Sequence, residues 1–342
     1  MKREALHWKK LKNNTVQCQL CAHQCTIGEG KRGLCGVREN TQGILSTCIY
    51  GSYSSMAVDP IEKKPLYHFH PGTRVFSLGT VGCNFQCLHC QNYTISRGTQ
   101  ETIPLQEATP QQIVTLAQTR GCSGIAWTYN EPTIWHEFAL DTSKIAHQNG
   151  LYTVYVTNGY LTEGPLKELS SYLDAMNIDI KAFHEEFYKT ICKARLAPVL
   201  ETCKRAKNLG IHLELTYLVI PTYNDSLDEI ISFCRWVVET LGADTPVHFS
   251  RFHPDYHLTD VPPTPRDTLT RIYETAKKEG ILFPYLGNVP HGAYENTICP
   301  QCGATCIERY GFTAQMTGVS NGICNACGAS IPLITTDERR KK

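Results

Sequence analysis

The chain is expected to adopt an α/β fold: a partial (β/α)6, TIM-like barrel, with a small cysteine-rich module before it and a zinc-ribbon-like knuckle module after it. Two observations carry this reading. From residue 75 onward, short β-branched or apolar runs alternate with helix-like stretches, which is the pattern of parallel strands joined by helical crossovers. Eleven of the 17 cysteines fall in three sets with ligand-like spacing, one near each end of the chain and one inside the alternating region. The expected organisation is a cysteine-rich module over 1–58, a linker contacting the barrel over 59–74, the barrel over 75–290, and a metal-knuckle module with its tail over 291–342.

The strands are expected, in order, at Val75–Gly82, Ser123–Tyr129, Tyr152–Thr157, Ala175–Ile180, His212–Val219 and Val247–Phe252. Helical stretches separate them at Thr109–Thr119, Glu137–Gln148, Pro165–Ser171, Ala197–Leu209 and Leu227–Leu241, and a last one follows at Thr268–Glu279. On such a scaffold function gathers where strands end in loops. The unusual polar residues of this chain sit at those ends: the cysteine loop after the first strand, Thr128-Tyr129-Asn130-Glu131-Pro132-Thr133 after the second, Thr157-Asn158-Gly159 after the third, Asp179 and Lys181 at the fourth, Pro221-Thr222-Tyr223-Asn224-Asp225 after the fifth and Ser250-Arg251-Phe252-His253-Pro254 at the sixth.

Composition narrows the function classes. With 42% hydrophobic residues the chain can bury a sizeable core. Lys+Arg 33 against Asp+Glu 32 leaves a net charge of +1, so no global basic field argues for nucleic acid or a membrane surface. The N-terminal run has no apolar signal core, and no apolar run approaches the roughly 18 residues of a membrane span, which points to the cytoplasm. Cysteines in that compartment are metal ligands or reduced thiols before they are disulfides. The ungrouped Cys48, Cys122, Cys192, Cys203, Cys234 and Cys306 read as small buried apolar side chains.

The run Gly82-Cys83-Asn84-Phe85-Gln86-Cys87-Leu88-His89-Cys90 has C-x3-C-x2-C spacing. A cubane [4Fe-4S] cluster takes four thiolates, so three close-spaced cysteines with no partner just downstream leave one iron open. A zinc site or reduced core thiols are the plainer alternatives. The loop resembles the cluster loop of the radical S-adenosylmethionine (SAM) enzymes. That resemblance implies that Cys83, Cys87 and Cys90 hold the cluster and that the amino and carboxylate groups of SAM chelate the open iron. One electron then splits SAM into methionine and a 5'-deoxyadenosyl radical, which abstracts hydrogen. His89 takes the place, usually aromatic, that packs near the adenine.

Other strand ends resemble the SAM pocket of the pyruvate formate-lyase activating enzymes. The turn Tyr129-Asn130-Glu131-Pro132 stands where those relatives meet the SAM amino group with a Gly-Gly-Glu form; here Pro132 ends the strand, and Asn130 and Glu131 offer acceptors. Thr157 and Asn158 match a strand end that contacts the ribose or methionine part, although an Asn-Gly turn is common without any ligand. Asp179 and Lys181, two apart, share one side of a strand and resemble an Asp-x-Lys beside SAM; an ordinary ion pair is the alternative. His253 stands where the sixth strand would face the adenosyl group, and is as readily structural.

Cys299-x2-Cys302 and Cys324-x2-Cys327, each pair followed by glycine, have the form of two knuckles closing one tetrahedral site, read as zinc, with a rubredoxin-like iron as the alternative. Cys18-x2-Cys21-x3-Cys25-x9-Cys35 does not match the bacterial ferredoxin run. It reads as a second metal site, zinc ahead of an auxiliary cluster, with His23 as a further ligand type. The tail Asp337–Lys342 reads as a solvated end. Taken together, nearly the whole chain resembles the radical SAM family of the AmmeMemoRadiSam system. The resemblance implies that Asp59, Glu62, Lys63, Tyr67 and His68 line the substrate side.

The expected activity is hydrogen abstraction from an unidentified substrate by a radical SAM enzyme. Activation of a glycyl-radical enzyme is an alternative, and a non-catalytic iron–sulfur or zinc protein that binds metal or transfers electrons is the rival from another class. A knuckle adaptor for RNA or protein is weaker still, since phosphate binding wants a basic surface. Expected partners are a one-electron donor of flavodoxin or ferredoxin type and the other proteins of the AmmeMemoRadiSam system.

Overall fold

Eight strands form the central sheet of the computed structural model, which describes residues 2–289 and 293–335. They are β1 Ser55–Pro60, β2 Arg74–Gly79, β3 Gly124–Trp127, β4 Tyr152–Thr157, β5 Ala175–Ile180, β6 His212–Val219, β7 Val247–Arg251 and β8 Pro284–Gly287. Neighbours in sequence are neighbours in space, from β8 at one edge to β1 at the other. Strands β2 to β8 pair in parallel, and β1 is antiparallel to β2. Helices α1 Pro110–Thr119, α2 His136–Gln148, α3 Glu163–Leu169, α4 Leu196–Asn208, α5 Leu227–Thr240 and α6 Arg266–Lys278 fill the crossovers. Local chemistry fixes their starts: Thr109 and Gln112 make a reciprocal capping box ahead of Pro110, and Ser226 caps α5 through the Glu229 amide.

The six expected strands are all present, and two more were not anticipated. Strand β8 has only four residues, begins with Pro284 and ends in Gly287, so it carries no strand signature. Strand β1 ends at Pro60, which reads as a break in the sequence; on an edge strand the missing N–H costs no ladder bond. The boundary expected at 58/59 falls inside β1. The boundary expected at 290/291 and the tail Asp337–Lys342 lie outside the described residues.

From Ile61 to Thr73 the chain crosses the end of the sheet where the parallel strands begin. Glu214, fully buried on β6, accepts from the backbone N–H groups of Tyr67 (3.0 Å) and His68 (2.7 Å) and bonds His212 (3.0 Å) and His248 (2.7 Å). The C-terminal module packs beneath this segment. Buried Arg309 donates to the Tyr67 carbonyl at 2.7 Å and stacks over the Tyr67 ring at 4.1 Å, while His68 meets the Tyr285 hydroxyl at 2.6 Å and the Pro332 carbonyl at 3.0 Å. The N-terminal module is built from two small three-stranded sheets around Ala5, Val16, Leu20, Ile27 and Leu45. It docks on α2 through the buried ion pair of Arg38 and Glu137. The six ungrouped cysteines are all buried.

Candidate functional site

At the opposite end, where the parallel strands terminate, a cavity of about 530 Å³ opens, a size typical of small-molecule and cofactor sites. Its wall includes Cys83, Cys87 and Cys90 with His89, Asn130 and Glu131 after β3, Thr157 and Asn158 from β4, and Asp179 and Lys181 from β5. Thus every residue expected to contact SAM except His253 lines this one cavity, whereas Pro221–Asp225 after the fifth expected strand do not. Strand β7 ends at Arg251, and by alternation Ser250 faces the cavity; the chain then turns, leaving His253 exposed with its Nδ1 on the Pro254 carbonyl.

The loop that carries the three cysteines is held from several sides. Asn130 accepts from the Thr80 amide (3.1 Å) and donates to the Gly82 carbonyl (2.8 Å). Gly82 itself has φ +87°, and a Cβ there would lie 2.6 Å from the Cys35 carbonyl, so both its conformation and its packing require glycine. The Gln86 and Leu88 amides donate to the Cys192 and Ile191 carbonyls. Asn158 donates to Asn84 Oδ1 at 2.7 Å, and the Phe85 amide points at Cys83 Sγ at 3.4 Å.

Glu131 is buried, and its carboxylate accepts from the Thr133 amide (2.9 Å), the Thr157 hydroxyl (2.6 Å) and the Asn158 amide (2.8 Å). It therefore ties the end of β3 to the end of β4. Burial pushes its pKa up, against the pull of those donors. Asp179 and Lys181 form a 2.8 Å ion pair beside the cysteines.

Sequence reasoning missed Lys64, Thr216 and Asn288 as wall residues, and gave Tyr129 and Ser250 only as members of strand ends with no role of their own. Alternation along β6 and β7 would have found Thr216 and Ser250. Lys64 is buried against Asp59 at 2.7 Å, Asp59 also accepts from Lys63 and from the Tyr129 hydroxyl, and burial pulls the Lys64 ammonium down to about 8. Of the residues expected on the substrate side, Lys63 lines the cavity, and Asp59 reaches it through Lys63, Lys64 and Tyr129. Glu62, Tyr67 and His68 do not. Glu62 accepts from the Gly72 amide, and Tyr67 and His68 face the C-terminal module, because the segment turns under the sheet after Lys64.

The donor set fits a cluster and a polar cosubstrate. Burial pushes the Cys83 thiol well above its ordinary pKa, and the neighbouring Cys192 together with burial does the same to Cys87, so their thiolates need a cation between them. His89 Nδ1 is buried in the same wall with no hydrogen-bond partner. The three sulfurs do not all lie within 4.8 Å of one another, whereas those of Cys299, Cys302, Cys324 and Cys327 do. In that terminal set Cys299 and Cys327 stand 3.6 Å apart and Cys302 and Cys324 3.8 Å. Four sulfurs about 2.3 Å from one tetrahedral ion would be about 3.8 Å apart. Turn amides of Ala326 and Cys327 also hold the Cys324 thiol down to about 6.

Comparison with known proteins agrees with this geometry. The family model for the Radical SAM superfamily matches residues 77–234, from inside β2 through the cysteine loop to α5. The chain is 52% identical over 334 residues to the uncharacterized protein MJ0808 of Methanocaldococcus jannaschii, covering 97% of this chain and 99% of that one. It is 23% identical over 234 residues to pyruvate formate-lyase 1-activating enzyme of Escherichia coli, covering 63% of this chain and 90% of that protein. The crystal structure of Streptococcus suis SuiB bound to S-adenosylmethionine shares the fold at a TM-score of 0.50 with 12% identity, over 67% of this chain and 53% of SuiB. No helix among the described residues is long and apolar enough to cross a membrane. With its cysteine loop at the mouth of a parallel α/β sheet, the chain carries a Radical SAM superfamily domain over residues 77–234 and is an enzyme of the radical SAM class.

Proposed function

We propose that Cys83, Cys87 and Cys90 hold a [4Fe-4S] cluster, and that the chain abstracts hydrogen from a substrate admitted to the same cavity. The observation that carries this is the convergence of three half-buried cysteines with polar ends of β3, β4 and β5 on one wall. When bound, cluster and SAM supply reductive cleavage to methionine and a 5'-deoxyadenosyl radical, with one electron from a donor of flavodoxin or ferredoxin type. The protein's part is positioning. Lys181 offers a cation and Asp179 a carboxylate to the amino-acid end of SAM, and His89 offers Nδ1. Thr157 and Asn158 stand at the ribose or methionine end. Asn130 and Glu131 act through the backbone they fix as much as by contact. His253 has no place in this pocket.

For the substrate, a small molecule or peptide handled with the other AmmeMemoRadiSam proteins is one reading. Activation of a glycyl-radical protein is the second, favoured by the similarity to the E. coli activating enzyme. Mixing the reduced, SAM-loaded chain with a glycyl-radical enzyme and recording EPR separates them: a glycyl doublet supports activation, and its absence with SAM still consumed supports the first. The free thiols suit a reducing cytosolic setting.

The terminal knuckle is assigned zinc in a structural role, since its sulfur spacing is that of a single tetrahedral ion and it lies beneath the sheet, away from the cavity. Stripping that metal with a chelator, or replacing Cys299 with Ser, is expected to lower Tm by about 5–10 °C in a thermal melt. An unchanged melt would remove the structural role.

A further inference from the structure

The spacing of the N-terminal cysteines reads as a second metal site, zinc ahead of an auxiliary cluster, and their arrangement in space favours the second. Cys18, Cys21, Cys25 and Cys35 line one enclosed void that admits a water-sized sphere, walled also by Arg38, Asn84 and Ile134. None of the four is in a disulfide. No three of these sulfurs lie within 4.8 Å of one another, although the terminal four do. Ligands about 2.3 Å from a single ion leave no room between them for a sphere of that size. Thiolates on separate irons of a cubane stand farther apart and enclose such a void. In this respect the N-terminal set matches the Cys83 loop in the same chain and differs from the knuckle.

Hydrogen bonding fits as well. Arg38, 1% exposed and paired with the Glu137 carboxylate, also donates to Cys18 Sγ at 3.4 Å, so a buried hydrogen-bond donor stands beside the ligand set. His23, the alternative ligand type, has its Nε2 on the Asn84 carbonyl at 2.7 Å.

The void lies one residue and one hydrogen bond from the catalytic cavity. Asn84 lines the void, is the neighbour of Cys83, and takes the Asn158 amide at 2.7 Å from the cavity side. The Cys35 carbonyl is the atom that a side chain at Gly82 would strike.

We propose that Cys18, Cys21, Cys25 and Cys35 bind a second [4Fe-4S] cluster that passes electrons to the one at Cys83, Cys87 and Cys90. With four protein thiolates it has no open iron and does not bind SAM. A low-potential one-electron donor of flavodoxin type, or dithionite in vitro, reduces it by one electron. It is reoxidised when that electron moves to the neighbouring cluster, so no atoms are transferred.

The test uses the full chain, reconstituted anaerobically with iron and sulfide. The variant with Cys83, Cys87 and Cys90 all replaced by Ala is expected to keep about four irons and a reduced-cluster EPR signal, while the unsubstituted chain holds about eight. Adding Cys18→Ala and Cys21→Ala to that variant removes the remaining iron, with zinc retained at the knuckle as the check on folding. Iron-free triple variant, a count of about two, or one zinc at the N-terminal set overturns the cluster. In the reduced chain with both sites filled, spin–spin broadening is expected that neither single-cluster variant shows. A plain sum of two uncoupled signals overturns the relay. Either result leaves SAM cleavage at Cys83, Cys87 and Cys90 to be judged separately.

Discussion

Replacing Glu214 with Ala is expected to cost about 3–5 kcal/mol, because it leaves buried donors facing no acceptor. The side chain is fully buried and receives two backbone N–H groups and two imidazoles, so one truncation removes its tie to His248 on β7 and to the Tyr67–His68 segment beneath the sheet. For a chain of this size that is a fall in Tm on the order of 10 °C. Glu214→Gln keeps the shape and one acceptor and should lose less. A pH dependence follows. Burial alone would raise the carboxyl pKa, but the hydrogen bonds from His212 and His248 outweigh it and hold the group well below the carboxylate range. The unfolded chain titrates near about 4.3. The folded value being lower, this stabilisation is complete above that pH and is lost as pH falls beneath it. Urea midpoints between pH 7 and pH 3 should therefore drop more steeply for the unsubstituted protein than for Glu214→Gln; parallel curves would contradict the assignment.

Replacing Cys87 with Ala is expected to reduce SAM cleavage by about 10³-fold or more, since members of one catalytic unit fail together. Two cysteines of the loop cannot hold a cubane with a single open iron, so Cys83→Ala, Cys90→Ala and the triple variant should sit at the same floor. Cys192→Ala is the control. Cys192 is fully buried beside Cys87, but the proposed ligand set does not include it, and the variant should retain cleavage. Quantifying methionine release by mass spectrometry separates these outcomes, and near-complete activity in Cys87→Ala would remove the cluster from the mechanism.

Much of this was legible because parallel strands buried on both faces write continuous apolar runs. Tyr152–Thr157 and Ala175–Ile180 match their observed limits for that reason. The cysteine sets were legible because chelation imposes short spacings. What stayed hidden depends on where a segment goes after its strand. Pro60 and Pro284 look like breakers until the first is seen on an edge and the second at a strand start. Lys64 and Tyr67 are three apart, yet one lines the cavity and the other supports Arg309 below the sheet. Glu131 reads as a ligand by its type, but its acceptors are engaged by β4. His253 is displaced by a turn that begins one residue earlier than the expected strand allows for. The sulfur separations of the N-terminal set, on which the proposed second cluster rests, are not encoded in spacing along the chain.

The most direct test of the account is to reconstitute the full chain anaerobically with iron and sulfide, add dithionite and SAM, and quantify 5'-deoxyadenosine. The account predicts its formation together with methionine in equal amounts, and its loss when Cys83, Cys87 and Cys90 are all replaced by Ala. A chain that carries its clusters by spectroscopy and yet forms no 5'-deoxyadenosine would contradict it.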